Sequence, residues 1–328
     1  MNAIKSKYKR NILLASCINA LLFINFIYAL PNNAVGYERM MLGDFEVIAL
    51  YDGVVELHGQ FFKGSYEDNL ENNPEDKLSN LSERSLSNPE YETQTSVNTY
   101  LINTGENIIL VDAGVNQCKG TNSGHLDENL RASGYLPEQI DIVLLTHLHV
   151  NHICGLVNLD KMAFPNANVY VSQIDADFWL SYEQAAQALP QDQINFKIAS
   201  DSVKPYRATD QLKFFKGPNL PIFGVKAIAT PGHTNGHSAY LFESKGESLI
   251  VWGSIIHSIA LQLNNPDISV ESDMDPAQGI ITRKLLLKEI SNNRSWVAGA
   301  HIPFPGIGRI YKDIPNEMYY WIPLEYKK

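Results

Sequence analysis

The sequence is poor in cysteine and in positive charge. Three cysteines occur in 328 residues, and their positions do not form the paired pattern of a zinc finger. Lysine and arginine number 26 against 36 acidic residues, so the formal net charge is −10. Because binding to a phosphate backbone requires a basic surface, nucleic acid is excluded as an expected partner. No short internal repeat is visible either, which is unlike a repeat array.

The overall composition is that of an ordinary globular protein. Hydrophobic residues make up 45%, charged residues 19% and aromatic residues 10% of the chain, unlike disordered or coiled-coil sequences. Although 328 residues exceed the usual size of one domain, α/β sandwiches of about 200 to 300 residues commonly close around one core. We therefore expect a single domain at 30–328, preceded by a separate N-terminal segment.

The N-terminal segment has the pattern of an export signal. An uncharged apolar stretch at 12–30 follows four basic residues, Lys5, Lys7, Lys9 and Arg10. This pattern predicts a signal peptide at 1–29, cleaved after Ala29, and a periplasmic or secreted protein. The alternative is an uncleaved membrane anchor, because the stretch approaches the roughly 20 residues that span a bilayer, although Asn19 and Asn25 weaken it. No stable membrane partner is expected unless the segment stays uncleaved.

Two cysteines, Cys118 and Cys154, would remain after cleavage. In an exported protein they could form a disulfide, but their spacing alone does not show that they meet. Cys154 lies next to the histidine motif, and a packing role is expected for it rather than a reactive one.

The chain from residue 45 to 94 predicts a hairpin and then a polar excursion. Apolar runs at 45–50 and 54–57 flank Tyr51-Asp52-Gly53, and an Asp-Gly pair between two such runs is typical of a hairpin turn. The stretch at 66–94 is polar and lacks a sustained apolar period. We expect it to form a surface excursion or lid over the site.

Strand-like and helical runs alternate after residue 95. Strands are predicted at 97–103, 108–112, 140–145, 169–171, 225–229, 238–242, 249–252 and 296–300. Helices are predicted at 126–133, through Phe178 and Trp179, and from the cap residue Asp275 to about 291. Two groups of strands with helices between them indicate an α/β fold with two packed sheets and helices outside.

Five histidines follow strand-like runs directly. They are His147, His149 and His152 in Thr-His-Leu-His-Val-Asn-His, His233 in Thr-Pro-Gly-His, and His301 in Gly-Ala-His-Ile-Pro-Phe-Pro. His147 and His149 alternate with Leu148, so both rings can point the same way from an extended segment. Neutral imidazoles that converge from several loops are what zinc requires.

These segments resemble the His-x-His-x-Asp-His motif and the downstream histidines of the metallo-β-lactamase superfamily. The segments 111–114, 231–234 and 299–306 also fit, and the last is most similar to the branch of methyl parathion hydrolase and related lactone and aryl-ester hydrolases. The resemblance covers most of 45–312. It implies an αββα four-layer sandwich, zinc as the cofactor and a small-molecule substrate. A homodimer is left open.

The resemblance implies two metal sites, and the sequence departs from the family at the second. The first site would consist of His147, His149 and His233, and the second would include His152 and His301. Asn151 stands where the motif has Asp, and Ser254 stands where a second Asp would bridge both metals. Both departures remove an anionic ligand.

The charge lost at Asn151 and Ser254 is large in energetic terms. Two divalent ions about 3.5 Å apart repel by roughly 19 kcal/mol even at an effective dielectric constant of about 20. We therefore expect one zinc ion and a doubtful second. A site of three histidines still lowers the pKa of bound water to about 7 and can supply a hydroxide.

Other residues are assigned supporting roles by the same resemblance. Asp112 and His237 are expected to hold the loops and orient ligands. An apolar substrate wall is expected at Phe178, Trp179 and Phe196, with a core position as the alternative. His257 could line the pocket or act as a weak ligand, with a purely structural role as the alternative.

Two functions follow from the sequence. The first is an exported, metal-dependent hydrolase that acts weakly on lactones, aryl esters or phosphotriesters through a zinc-bound hydroxide. The second is a non-catalytic protein that keeps the fold and binds metal or an apolar ligand. Asn151 and Ser254 favour the second, and the retention of all five histidines favours a metal.

Overall fold

A computed structural model describes residues 36–325 except 59–60, 64–91, 120–122, 160, 314 and 316–317. These residues belong to one compact unit, Val35–Lys328. The predicted signal peptide lies outside the described residues, as does the predicted polar excursion except for its end at 92–94. Among the described helices, none has the length and apolar character needed to cross a bilayer.

Strands and helices alternate through the described chain. The strands are β1 (Tyr37–Leu42), β2 (Phe45–His58), β3 (Phe62–Lys63), β4 (Glu92–Asn103), β5 (Ile108–Val111), β6 (Ile142–Leu144), β7 (Val157–Asn158), β8 (Lys161–Met162), β9 (Asn168–Ser172), β10 (Leu212–Phe215), β11 (Val225–Ala229), β12 (Ser238–Ser244), β13 (Glu247–Val251), β14 (Ser269–Val270), β15 (Trp296–Ala298), β16 (Ile307–Asp313) and β17 (Met318–Pro323). The helices are α1 (Leu126–Ala132), α2 (Val150–Ile153), α3 (Gln173–Trp179), α4 (Tyr182–Gln187), α5 (Gln193–Ala208), α6 (Ile259–Gln262) and α7 (Pro276–Asn293).

Two large sheets contain most of these strands. The first has seven strands in the order β1-β2-β4-β5-β6-β9-β10, and the second has six in the order β11-β12-β13-β15-β16-β17. Strands β5, β6, β9 and β10 are mutually parallel neighbours, and β13 runs parallel to β15. Parallel neighbours require crossover connections, which the helices supply. The carboxyl ends of parallel strands therefore meet at one edge.

The side chains sort into three buried layers by alternation along the strands. Val47, Ala49 and Ile102 face the second sheet. Ile48 and Leu101, one residue away, pack on the opposite face with residues of α1, α3 and α5. The outer face of the second sheet is covered by α7 through Leu286, Leu287 and Ile290. Because successive strand residues point to opposite faces, this pattern gives helix, sheet, sheet and helix layers, and the predicted αββα sandwich is confirmed.

The hairpin predicted around Asp52 is wrong. Strand β2 runs continuously through this point, with a register shift against β4 between Tyr51 and Gly53. Asp52 is fully buried, and its carboxylate accepts backbone N–H bonds from Val115 and Leu126 at 2.7 and 3.0 Å. The Asp-Gly pair thus forms a bulge that directs a carboxylate inward and fixes the chain entering α1.

The sequence leaves open whether Cys118 and Cys154 pair, and the structure joins them. Cys118 and Cys154 form a disulfide with their Cα atoms 6.4 Å apart. The bond connects the short 3-10 helix Asn116–Lys119 to the turn that directly follows α2. It therefore secures the segment that carries Asn151 and His152.

Candidate metal centre

The five predicted histidines meet at the edge where strands end. His147 and His149 follow β6, His233 follows β11, and His301 follows β15. His152 lies in α2, and this helix begins directly after the extended residue His149. All are buried except His149, which is partly exposed. The parallel arrangement of the strands thus converts distant sequence positions into one cluster.

His147, His149 and His233 form what we term the primary cluster. One nitrogen from each ring lies within 4.8 Å of the other two. His149 Nδ1 and His233 Nε2 are 3.0 Å apart. Ligand atoms in a tetrahedral zinc site with Zn–N distances of about 2.0–2.1 Å lie roughly 3.3 Å apart. The spacing of this pair is therefore close to that of zinc ligands.

The hydrogen bonds behind the rings leave nitrogen lone pairs pointing into the cluster. His233 Nδ1 lies 2.8 Å from a carboxylate oxygen of Asp273, which can only accept, so we assign the proton to Nδ1 and the lone pair to Nε2. His147 Nδ1 lies 2.9 Å from Thr146 Oγ1, whose own proton goes to Asp112. His147 Nε2 is buried and has no hydrogen-bond partner among the described residues.

His147 and His233 of the primary cluster are held in their neutral form. Burial, with the neighbouring histidines, lowers the pKa of His147 and His233 well below the ordinary histidine value. The same causes lower the pKa of His301 to about 3. Neutral imidazole is the form that binds metal. A buried nitrogen without a partner, surrounded by neutral imidazoles, fits a zinc ion.

His152, His301, Asn151 and Ser254 form the secondary cluster. His152 Nε2 and His301 Nε2 are 3.3 Å apart, and Ser254 Oγ lies 3.1 Å from each. Asn151 Nδ2 is 3.3 Å from His301 Nε2. Behind the rings, His152 Nδ1 lies 2.7 Å from Asp112 and His301 Nδ1 lies 3.1 Å from the Ser96 carbonyl. The hydroxyl and the amide can therefore donate to the two Nε2 lone pairs.

Asp112 connects the two clusters from behind. Its carboxylate accepts the Thr146 backbone N–H at 2.8 Å in addition to its contact with His152. Asp112 directly follows β5 and has a φ of 62°, a left-handed conformation that is costly for a residue other than glycine. Such strain persists only where the surroundings fix the residue. The position predicted to orient ligands thus contacts His152 directly and His147 through Thr146.

His237 has both ring nitrogens occupied by protein groups. Nε2 accepts the Ser254 backbone N–H at 3.1 Å, and Nδ1 lies 2.7 Å from Thr230 Oγ1. Gly253 makes this contact possible, because a Cβ there would come within 2.6 Å of His237 Nε2. His237 therefore holds the turn that presents Ser254.

Two acidic residues of this centre were missed by the sequence analysis. Asp273 contacts His233 from 40 positions away, and it carries no motif that would mark it. Asp175 is buried and accepts the backbone N–H groups of Leu148 and Gly236 at 3.0 and 2.9 Å, tying together two histidine loops. Burial raises the pKa of Asp175 to about 6. A buried aspartate cannot be recognised from sequence spacing alone.

A small cavity of about 160 Å³ opens onto both clusters. His149, Asn151, His233, His257 and His301 face it, together with Val55, Leu57, Phe61, Thr95, Val150, Asn195 and Ser272. The His257 ring stacks on His301 at 4.6 Å between centroids, and His257 Nδ1 has no hydrogen-bond partner among the described residues. The structure thus places His257 in the cavity wall.

The three aromatic residues expected to form a substrate wall, Phe178, Trp179 and Phe196, lie away from this cavity. None of the three is among the described residues that line this cavity. They pack on one another, with centroids 4.8 to 5.3 Å apart, in the core between the first sheet and its helices. Trp179 and Phe196 also line a second cavity of about 710 Å³ beside α4 and α5. Trp179 still supports the site, because its ring contacts His149 edge-on at 5.2 Å.

Two solved structures are similar to this chain in sequence and in fold. A crystal structure of the hydrolase AbOPH in the beta lactamase superfamily is 36% identical, with a TM-score of 0.80, over 90% of this chain and all of that one. The dizinc quorum-quenching lactonase AidC, in complex with a product, is 24% identical, with a TM-score of 0.73, over 89% of this chain and 99% of its own.

Curated relatives are more distant. An N-acyl homoserine lactonase of Bacillus thuringiensis is 22% identical over 224 residues, 62% of this chain and 79% of that protein. A Bacillus cereus N-acyl homoserine lactonase is 23% identical over 171 residues, and this chain spans 60% of its length. The sequence profile of the metallo-beta-lactamase superfamily matches residues 93–301, which include all five clustered histidines. Together with the four-layer fold, this match shows that the chain belongs to the metallo-beta-lactamase superfamily.

Proposed function

We propose that this protein is an exported, metal-dependent hydrolase with one zinc ion in the primary cluster. The observation that carries the proposal is the buried Nε2 atom of His147, which has no partner among the described residues. Leaving such a group unsatisfied costs about 1–3 kcal/mol. A metal ion at the primary cluster would remove that cost and would use the lone pairs that Asp273 and Thr146 direct inward.

A zinc ion in this position supplies a Lewis acid and lowers the pKa of bound water. The chain's own residues would orient the ligand rings, exclude water and orient the substrate. Asp273 and Thr146 fix the orientation of the rings behind the ion. Val55, Leu57 and Phe61 give the cavity an apolar side that excludes water, and Asn195 and Ser272 give it polar groups that can orient a substrate.

Lactones, aryl esters and phosphotriesters are the proposed substrates. The cavity is small and mostly neutral, which suits an uncharged carbonyl or phosphoryl group. The curated relatives named as N-acyl homoserine lactonases support a lactone. Slow turnover is expected, because Asn151 and Ser254 contribute no negative charge where a second metal would lie.

A non-catalytic binding protein is the second candidate, and a specific observation favours it. The Ser254 hydroxyl and the Asn151 amide are placed to hydrogen-bond the lone pairs of His152 and His301. These contacts satisfy the secondary cluster without any metal.

Metal-dependent turnover separates the two candidates most directly. Protein purified without added metal should hold about one zinc ion per chain, and p-nitrophenyl acetate or a γ-lactone should be hydrolysed. Removing the metal with a chelator should lower this turnover sharply, and zinc should restore it. Zinc binding without metal-dependent turnover on any ester, lactone or phosphotriester would favour the binding protein.

Export is proposed from the N-terminal pattern and from the disulfide, since disulfides persist mainly in oxidising compartments. N-terminal sequencing of the protein from a host that exports it should find a chain that begins near Leu30. An intact N-terminus on cytosolic protein would contradict export.

A further inference from the structure

Three side chains at the secondary cluster have the connectivity of an activated nucleophile. Ser254 Oγ lies 3.1 Å from His152 Nε2, and His152 Nδ1 lies 2.7 Å from Asp112 Oδ2. Nucleophile and base in serine hydrolases lie about 2.6–3.2 Å apart, with an acid orienting the base from behind. We propose that Ser254, His152 and Asp112 form a Ser-His-Asp triad that gives this chain a metal-independent acyl-transfer activity.

The backbone around the triad fixes all three members. Ser254 follows β13 after Gly253, whose φ of 59° makes a sharp turn. His237 accepts the Ser254 backbone N–H and so holds that turn. Asp112 is held in its strained left-handed conformation, and its carboxylate lies 2.7 Å from His152 Nδ1. A carboxylate in this place assigns the proton to Nδ1 and leaves Nε2 as the base.

His301 also contacts Ser254 Oγ at 3.1 Å, but it is not oriented as a base. Behind it lies the carbonyl of Ser96. This neutral group stabilises a positive imidazolium less well than a carboxylate would. Asn151 Nδ2 lies 3.3 Å from His301 Nε2 and can occupy its lone pair. The hydroxyl proton of Ser254 therefore goes to His152.

The reaction is that of an ordinary serine esterase. Oγ bonds to the ester carbonyl carbon as its proton moves to His152 Nε2. The bond to the alcohol oxygen then breaks, and the alcohol leaves with that proton. Water enters by the same route and releases the acid, so no oxidant, reductant or metal is needed. Asn151 lines the cavity and carries an amide that can donate to the carbonyl oxygen.

Access to Ser254 limits the rate. Ser254 is 2% exposed, whereas His301, which contacts it, lines the cavity. An ester in the cavity reaches Oγ only when the His301 ring moves aside. Slow capture of small acyl or phosphonyl groups is therefore expected, and truncating His301 should speed it.

Covalent labelling with an alkyl fluorophosphonate tests the triad. In this reaction Oγ bonds to phosphorus and fluoride leaves. Wild-type protein, as purified and after chelation, should gain one phosphonyl group, which peptide mass spectrometry locates on Ser254. His152→Ala should slow labelling by about a hundredfold or more, the usual contribution of a general base. His301→Ala should label faster than wild type.

Matched variants keep the test decisive. Ser202→Ala removes another buried serine, in α5, and should label like wild type. Ser254→Cys keeps a nucleophile in place and should be alkylated by iodoacetamide faster than the same cysteine variant that also carries His152→Ala, which covers the case in which one serine variant folds poorly. Absence of label in wild-type protein, label on another residue, or full labelling of His152→Ala would overturn the triad.

The triad and the proposed metal-dependent function can each be contradicted by experiment without contradicting the other. Chelation abolishes zinc-dependent turnover but leaves labelling of Ser254 unchanged. Turnover that needs zinc, in protein that never labels, would retain the first proposal and reject the second.

Discussion

The primary and secondary clusters lie side by side, and each contains buried imidazoles with a carboxylate behind one ring. Asp273 lies behind His233, and Asp112 lies behind His152. They differ in front of the rings. His147 Nε2 in the primary cluster has no partner among the described residues, whereas Ser254 is placed to donate to the secondary cluster.

The difference shows that one substitution changes more than a charge. Replacing a carboxylate by serine or asparagine removes an anion and also adds a hydrogen-bond donor. That donor can satisfy the imidazole lone pairs which a metal would otherwise use. The primary cluster has no such donor at His147, and under the proposed function a metal ion would take that place.

Removing a primary-cluster ligand should strip the metal. His147→Ala or His233→Ala leaves two strong ligands, which is too few for a stable zinc site, so metal content should fall from about one per chain to near zero. His152→Ala should retain most of the metal. Metal analysis after gel filtration checks all three variants. Equal loss in the three would show that the two clusters do not differ in metal binding.

Restoring both carboxylates should convert the secondary cluster into a second metal site. In Asn151→Asp with Ser254→Asp, two negative charges return where the repulsion between metals is largest, so stoichiometry should rise toward two. Hydrolysis of an aryl ester or lactone should rise roughly a hundredfold or more, since about 1.4 kcal/mol gives a factor of ten. Each single substitution should recover much less, because both groups serve the same metal.

Asn195→Asp is the matched control for this restoration. Asn195 also lines the cavity, so the variant adds negative charge to the same wall without replacing a secondary-cluster residue. Its metal content should stay near one. A second metal in this control would show that charge anywhere in the cavity is sufficient.

Asp273→Asn should weaken the primary cluster without emptying it. Asp273 orients His233 through Nδ1, and loss of such a partner typically lowers metal affinity ten- to hundredfold. Competition with a chromogenic chelator measures the change. Asp267→Asn is the control, because Asp267 forms a surface ion pair with Lys284 and should leave zinc affinity unaltered. Equal affinities in the two variants would argue against Asp273 as the orienting group.

The fold and the histidine positions could be predicted because strand periodicity and local motifs carry them. The segment around His147 and His149 places ligands at a strand end through neighbouring residues alone. Asp273 could not be found in this way, since it meets His233 only after α6 and β14 have folded back. The bulge at Asp52 was missed for a similar reason. Its carboxylate bonds to backbone groups at 115 and 126, and these distant partners override a local turn signal.

The pocket aromatics show the same limit on prediction. Phe196 lies in α5, a helix that the sequence analysis did not predict, and helical position does not tell which face turns inward. In the structure its ring packs in the core and borders a second cavity, and the neighbouring Asn195 lines the cavity at the histidines instead. One residue of helical rotation separates these outcomes.

Opening the disulfide should have the smallest effect on metal. The bond closes a sequence separation of 36 residues, so its loss should lower the free energy of unfolding by about 2–4 kcal/mol. Cys154 follows α2, which carries Asn151 and His152 but none of the primary-cluster histidines. Zinc affinity should therefore change by less than about threefold, well under 1 kcal/mol. Denaturant unfolding and chelator competition, applied to wild type and to Cys118→Ser with Cys154→Ser, measure the two quantities. Zinc loss as large as in His147→Ala would show that the primary cluster depends on the segment that carries the secondary cluster, and the two could no longer be treated as independent.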